Sequence, residues 1–342
     1  MANDLIQTAS QQIDRALAAR DSADISWIQP PPMRDGWTLA ADALQFLDCL
    51  VRDLKPKHVL EFGAGLSTKV LARACVQMGT ACAISSIDHD PEFGVSDTRT
   101  LVESAKNLTL ASQISPLVAR DYGGKLLPTY YFDSKKFATT APADLVLIDG
   151  PPVNLGGREG ILYQAMEFCR PGTIVLLDDA NRGAERIAAR DWQEVLGDAI
   201  EVRHLPHFTK GMAAVIVHKM VKLDQLWNLR WAGAKKQIEN LTAAKDAFVL
   251  VESKNWDDFA DGRHALPLVK RGDEDWGAPE NDQIAMAELE SRRSEGATHF
   301  ILPWTSFWWV DCYGAFFSEL RRRFNCVADG DLLLAFDLRK TP

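Results

Sequence analysis

Three short stretches of this 342-residue sequence gather side chains that could do chemistry. In "VLEFGAGLSTKVL" (Val59 to Leu71) an apolar run carries Glu61 and ends in Gly63-Ala64-Gly65. "LVLIDGPP" and "IVLLDDANR" each close an apolar run with acids, Asp149 in the first and Asp178 with Asp179 in the second. A Gly-x-Gly turn lets backbone approach a bound group closely. Carboxylates brought to one place repel one another, raise their pKa values and call for a cation.

Three readings compete for the glycine turn. It can be a tight strand-to-helix connection and nothing more. A dinucleotide turn needs a third glycine where this chain has Thr68, so that fingerprint fails. The third reading is S-adenosylmethionine (SAM). A carboxylate at Glu61 would repel a pyrophosphate but attract an α-ammonium, directly or through water. Downstream, "SSIDHD" sets Asp88 at the tip of the next apolar run, where it can accept two ribose hydroxyls. "ARDYGG" offers Asp121 to an adenine amino group. The expected cofactor set is Glu61, Gly63, Ala64, Gly65, Ser67, Asp88, His89, Asp121 and Asp149.

The acids after the two later runs form the second constellation. An all-oxygen donor set of Asp149, Asp178 and Asp179 suits Mg²⁺, or Ca²⁺ and Mn²⁺ less selectively. Arg158 and Arg182 lie just past the two acid clusters and are expected to orient a substrate. The loop "HLPHFTKG" brings His204, His207 and Lys210 towards the same edge. A histidine near its ordinary pKa of about 6.5 suits proton abstraction, and His207 is the favoured base, with Lys210 and Asp149 as the other catalytic candidates.

These residues need a scaffold that places strand ends side by side. Short apolar, β-branched runs ("HVLEFG", "CAISSID", a weaker "ISPLVA", "ADLVLIDG", "GTIVLLDD") alternate with amphipathic stretches ("STKVLARACVQM", "TRTLVESAKNLTL", "GREGILYQAMEFC", "AERIAARDWQEVL"). That alternation predicts a parallel sheet covered on both faces. Thr38 is the expected N-cap of a further helix, "LAADALQFLDCLVRDL". "AIEVRHL" and "MAAVIVHK" follow with only six residues between them, too few for a parallel crossover, so they pair antiparallel or part company. The expected fold is α/β: a Rossmann-like doubly wound sheet with a reversed last strand, plus a smaller C-terminal α/β domain.

Strand, acid, glycine turn, ribose acid, adenine acid and reversed last strand, in this order over residues 36–218, resemble the class I SAM-dependent methyltransferases. The acids Asp149, Asp178 and Asp179 resemble the metal-ligand pattern of O-methyltransferases of the catechol and macrocin types. The resemblance implies methyl transfer to a hydroxyl of a saccharide or other small diol, with Mg²⁺ assisting. The chain departs from the catechol pattern at Pro152, where that pattern has a lysine base.

Composition bounds the rest. A net charge of -9 with no compensating Lys/Arg tract argues against a nucleic-acid partner. The one basic cluster, Arg321 to Arg323, reads as the solvated last turn of a helix. No run reaches the ~18 apolar residues a membrane span needs, and the start shows no basic flank before an apolar core, so no signal peptide is expected. The six cysteines (Cys49, Cys75, Cys82, Cys169, Cys312, Cys326) read as small buried hydrophobes of a cytoplasmic protein.

The expected organisation is a helix and Pro-rich lead-in over 1–35, the SAM domain over 36–218, a connector helix over 219–244 able to pair two chains, and an accessory domain over 245–342. That last segment resembles a small module found beside bacterial glycosyltransferases. Its aromatic run, Trp304, Phe307, Trp308, Trp309, Tyr313, Phe316 and Phe317, has the helical spacing of a buried helix, and core is favoured over a sugar platform. Two other classes stay open. One is a SAM- or nucleotide-binding interaction protein without turnover; the other is an NAD-dependent oxidoreductase. An aminopropyl transferase on the same fold ranks lower.

Overall fold

The computed structural model describes residues 2–28, 37–93, 102–103, 105–205, 207–272 and 274–339, and Thr98. It divides into two compact units, Met1–Leu226 and Trp227–Pro342.

The first unit is built on a seven-stranded sheet. Its strands are β1 (His58–Phe62), β2 (Cys82–Asp88), β3 (Leu108–Ile114), β6 (Leu145–Ile148), β7 (Ile174–Asp178), β8 (Ile200–Leu205) and β9 (Met212–Val217). Their order is β3-β2-β1-β6-β7-β9-β8. Every residue of β1, β6, β7 and β9 is buried, which is why these segments read as unbroken apolar runs with no alternation. All pairings are parallel except those of β9, which runs antiparallel to both β7 and β8. The six-residue link between β8 and β9 thus closes a hairpin, and the last strand is the reversed one.

The helices of this unit are α1 (Ala2–Ala19), α2 (Ala41–Leu54), α3 (Leu66–Met78), α4 (Glu159–Ala165) and α5 (Gly183–Leu196). Ala9, Ile13 and Ala16 of α1 and Leu44, Leu47 and Val51 of α2 share one apolar core with Val59, Leu147 and Leu176 of the strands. The N-terminal helix is therefore part of this unit's core. It ends at Ala19. Helix α2 begins at Ala41 behind Ala40, which makes no side-chain cap, so Thr38 is not its N-cap. The Thr38 carbonyl instead accepts from Lys210 Nζ at 2.8 Å.

One strand differs from its reading. "LTL" (Leu108 to Leu110) belongs to β3, not to the end of a helix, and "ISPLVA" is not the third strand of the sheet. Leu117–Asp121 (β4) pairs antiparallel with Leu126–Tyr130 (β5) in a separate two-stranded ribbon. Thr109 and Ile114 favour the extended state, and pairing with β2 outweighs the helical spacing of the residues before them. The part of the expected helix at 99–101 and 104, and of the Pro-rich lead-in at 29–36, lies outside the described residues.

The second unit opens with α6 (Leu226–Leu241), whose Ala234 and Ile238 are buried. Its five-stranded sheet contains β10 (Ala247–Leu250), β11 (Ala265–Leu266), β12 (Ala297–Pro303), β13 (Asn325–Asp329) and β14 (Leu333–Asp337), in the order β11-β10-β12-β14-β13. Trp309, Tyr313, Phe316 and Phe317 are buried with Val249, Phe300 and Phe336 in its core. Trp308 is exposed.

The cysteines depart from expectation. Cys75, Cys82 and Cys169 are buried, but Cys49 is only half-buried, and Cys312 and Cys326 are exposed. The last two stand on outward positions of a short helix and an edge strand. Among the described residues no helix is long and apolar enough to cross a membrane.

Candidate functional site

Strand order reverses between β1 and β6, which start out on opposite windings of the sheet, and their carboxyl ends open the crevice where α/β sheets bind ligands. The glycine turn after β1 meets the Asp149-Gly150 turn after β6 there. Gly63 sits at φ +101°, and a Cβ on it would lie 2.8 Å from the Gly150 nitrogen and 2.9 Å from the Asp149 carbonyl carbon. Only a glycine lets the two turns come this close. Above them lies a cavity of about 630 Å³, within the usual range for a site holding a drug-sized ligand.

Gly63, Ala64, Asp88 and His89 line this cavity. Asp88, at the tip of β2, is buried and accepts the Ala64 amide at 2.7 Å and the Asp90 amide at 2.8 Å. His89 Nδ1 lies 3.2 Å from Oδ1, the oxygen that accepts the Asp90 amide. A carboxylate has about four lone-pair sites, so Asp88 keeps acceptor capacity for a ligand's hydroxyls. Asp90, Glu92, Phe93, Trp37 and Tyr130 also line the cavity. No motif pointed to these five.

Glu61 is placed otherwise than expected. Its side chain is wholly buried and does not line the cavity. Ser67 and Thr68 of α3 donate to it at 2.7 and 2.6 Å, and Ser86 of β2 at 2.6 Å. Burial pushes its pKa up to about 7 against the pull of these hydroxyls. It therefore fastens the glycine turn from below and meets no ammonium. Ser67 and Gly65 are likewise absent from the lining, as Ser67 faces Glu61. Asp121 is exposed at the end of β4, accepts the Gly124 amide at 3.0 Å and is also not in the lining. The hairpin that replaced the expected third strand carries it away.

Asp149, Asp179, Arg158 and Arg182 line the cavity as well. Asp149, Asp178 and Asp179 offer carboxylate oxygens within 4.8 Å of one another. The cation among them is Arg158, whose side chain is 5% exposed. Its Nη2 donates to Asp149 Oδ1 at 3.2 Å and to Asp179 Oδ2 at 2.9 Å, and its Nη1 donates to the Asp178 carbonyl at 2.7 Å. Arg182 Nη1 reaches the same Asp179 oxygen at 2.9 Å. Arg158 is thus buried among the acids as their counter-charge, while Arg182, half exposed, pairs with Asp179 and also lines the cavity.

Burial and Asp178 raise the pKa of Asp149 well above the carboxylate range, against the pull of Arg158. Burial and then Asp179 push Asp178 up to about 6. Oδ1 of Asp178 and of Asp179 accepts no hydrogen bond among the described residues.

The expected base is elsewhere. His207 and His204 are exposed and line no part of the cavity, nor does Lys210. The loop residues Lys210 and Gly211 fold onto the turn after β7, with Asn181 N–H donating to the Lys210 carbonyl at 3.1 Å. The proton acceptors that do line the cavity are Asp149, His89 and the other acids.

Residues 60–180 match a family model described as a methyltransferase domain. That match covers the glycine turn, Asp88, Asp149 and the Asp178-Asp179 pair, about a third of the chain. No curated protein matches. Solved structures similar to the chain include the SAH-bound methyltransferase PaMTH1 of Podospora anserina, at 13% identity over 60% of this chain and 87% of that chain, with a TM-score of 0.39. The O-methyltransferase TomG of Streptomyces achromogenes, in complex with SAM, is 20% identical over 60% and 90%, with a TM-score of 0.38. An O-methyltransferase of Bacillus cereus in complex with SAH is 15% identical over 60% and 90%, with a TM-score of 0.37. Scores of this size carry no argument about activity.

Proposed function

We propose that the chain is a SAM-dependent methyltransferase that methylates a hydroxyl of a small neutral acceptor, a saccharide or other diol. The observation that carries this is one cavity lined both by the glycine turn and Asp88 and by Asp149 with its arginine-bound acid cluster. The residues fit the cofactor: Asp88 has acceptor capacity for a ribose, and the backbone of Gly63 and Ala64 faces the cavity. SAM, when bound, supplies a methyl group already activated on a sulfonium.

The protein's part is placement and proton removal. Asp149 lines the cavity, and its raised pKa makes it a better proton acceptor for a hydroxyl than an ordinary carboxylate. Arg158 holds Asp149 and Asp179 in position. Asp88, Asp90, Glu92, Asp149 and Asp179 outnumber Arg158 and Arg182 around the cavity, which disfavours an anionic acceptor.

The cluster also fits Mg²⁺ as a donor set, since three carboxylates stand together and two of their oxygens are unpartnered. Asp149, Asp178 and Asp179 would hold the ion, and a bound Mg²⁺ would lower the pKa of a chelated hydroxyl. Arg158 favours a second course in which the acids are served by the guanidinium alone.

The test is transfer of labelled methyl from SAM to a panel of sugars, catechols and aliphatic diols, with Mg²⁺ and with EDTA. Asp149→Asn should abolish transfer and leave SAM binding largely intact. SAM binding with no transfer to any acceptor would move the protein to the non-catalytic class.

A further inference from the structure

One buried hydroxyl in the cavity has no work in the account so far. Tyr130 ends β5, its side chain is almost fully buried, and its hydroxyl makes no hydrogen bond among the described residues. It nevertheless lines the cavity. A buried hydroxyl left unpaired is costly, so its place needs a reason.

The residue is held firmly. Gln164 accepts the Tyr130 amide at 3.2 Å and donates to its carbonyl at 2.6 Å. The ring stacks on Phe62, the last residue of β1, with centroids 5.8 Å apart. Because β1 lies between β2 and β6, a ring over Phe62 stands between Asp88 on one side and Asp149 on the other. The hydroxyl hangs over Gly150, where an added Cβ would lie 2.4 Å from it.

We infer that the Tyr130 hydroxyl faces the sulfonium of the bound cofactor and selects it over the uncharged demethylated product. This rests on the cofactor reading above. In the order ribose, sulfonium, methyl, acceptor, the group standing between the ribose acid and the acceptor acid meets the sulfonium. A neutral phenol suits that position. Its oxygen lone pairs attract the cation, yet it is a poor nucleophile, so it can stand beside an activated methyl without taking it. A carboxylate or phenolate there would invite self-methylation. Burial, together with Asp88 and Asp149, raises the pKa of Tyr130 and keeps it un-ionised.

The test is calorimetric titration of SAM, S-adenosylhomocysteine and adenosine into the wild-type protein and Tyr130→Phe. Tyr130→Phe should bind SAM roughly tenfold more weakly, as loss of an oxygen dipole held against a cation in a buried site implies. Binding of S-adenosylhomocysteine and adenosine should change by less than about twofold, since neither carries that charge. Gly150→Ala, which sets a methyl group where the hydroxyl lies, should give the same selective loss with the phenol still present. Equal weakening of SAM and S-adenosylhomocysteine, or no weakening of either, overturns the inference alone. A wild-type protein that binds neither overturns the cofactor reading, and this inference with it.

Discussion

The Thr68 hydroxyl donates to Glu61 at 2.6 Å while it accepts the Gly65 amide at 3.0 Å. The residue that breaks the dinucleotide fingerprint is thus the link between the buried acid and the glycine turn. The acid organises the turn through three hydroxyls and leaves ligand contact to the turn's backbone and Asp88.

Glu61→Ala should therefore damage both stability and binding. It strands the hydroxyls of Ser67, Thr68 and Ser86, each costing about 1–3 kcal/mol when buried without a partner. Denaturant unfolding should show a loss of about 3 kcal/mol or more, and SAM binding should fall with it. A stable variant with unimpaired binding would contradict the role assigned to Glu61.

The same burial sets a pH dependence of unusual sign. Glu61 is raised to about 7 and Asp178 to about 6 in the folded protein, above their unfolded values. The folded state then binds more protons than the unfolded chain, so these two groups lower stability as pH rises. Their windows run from the unfolded carboxylate range to about 7 for Glu61 and to about 6 for Asp178. Asp337, lowered to about 2, acts in the opposite sense, but only below the ordinary aspartate range. Unfolding midpoints should rise between pH 7 and pH 5, and Asp178→Asn should flatten the slope. A midpoint that falls across that interval in the wild-type protein would argue against these shifts.

The two glycines of the turn should differ. Both have φ values that side chains rarely adopt, +101° at Gly63 and +151° at Gly65. Gly65→Ala meets nothing within 4 Å and incurs only backbone strain, about 1–3 kcal/mol. Gly63→Ala adds the clash with the Asp149-Gly150 backbone, so it should be the more destabilising and should alter the cavity floor. Equal losses in thermal melts would show that the two turns do not depend on close approach.

Arg158 gives a coupled prediction. Arg158→Met leaves three acids without their buried cation and should destabilise by about 3–5 kcal/mol. Adding Asp179→Asn should recover part of that loss, because it removes one stranded carboxylate. Mg²⁺ should also stabilise Arg158→Met more than the wild-type protein, since a ligand favours the state that binds it. Strict additivity in the double-mutant cycle would mean the cluster is not electrostatically coupled.

Much of the sheet was legible because its central strands are buried on both faces and carry uninterrupted β-branched runs. The reversed last strand was legible from the six residues before it. The ribbon of β4 and β5 was not, since its mixed polar pattern and Pro128 look like a loop, and with it went Tyr130 and the true position of Asp121. The types and order of Asp149, Asp178 and Asp179 were visible. That Arg158 would fill the space among them was not, because an arginine nine residues from one acid carries no sign of which way it folds. His207 failed as a base for a similar reason: the loop direction follows from β8, but its packing onto the turn after β7 is tertiary.

The most direct test of the central claim is a calorimetric titration of SAM into the wild-type protein, run once with Mg²⁺ and once with EDTA. Saturable one-site binding is expected in both, lost in Gly63→Ala and weakened in Asp88→Asn. No binding in either buffer would contradict it, and the cavity above the glycine turn would need another ligand.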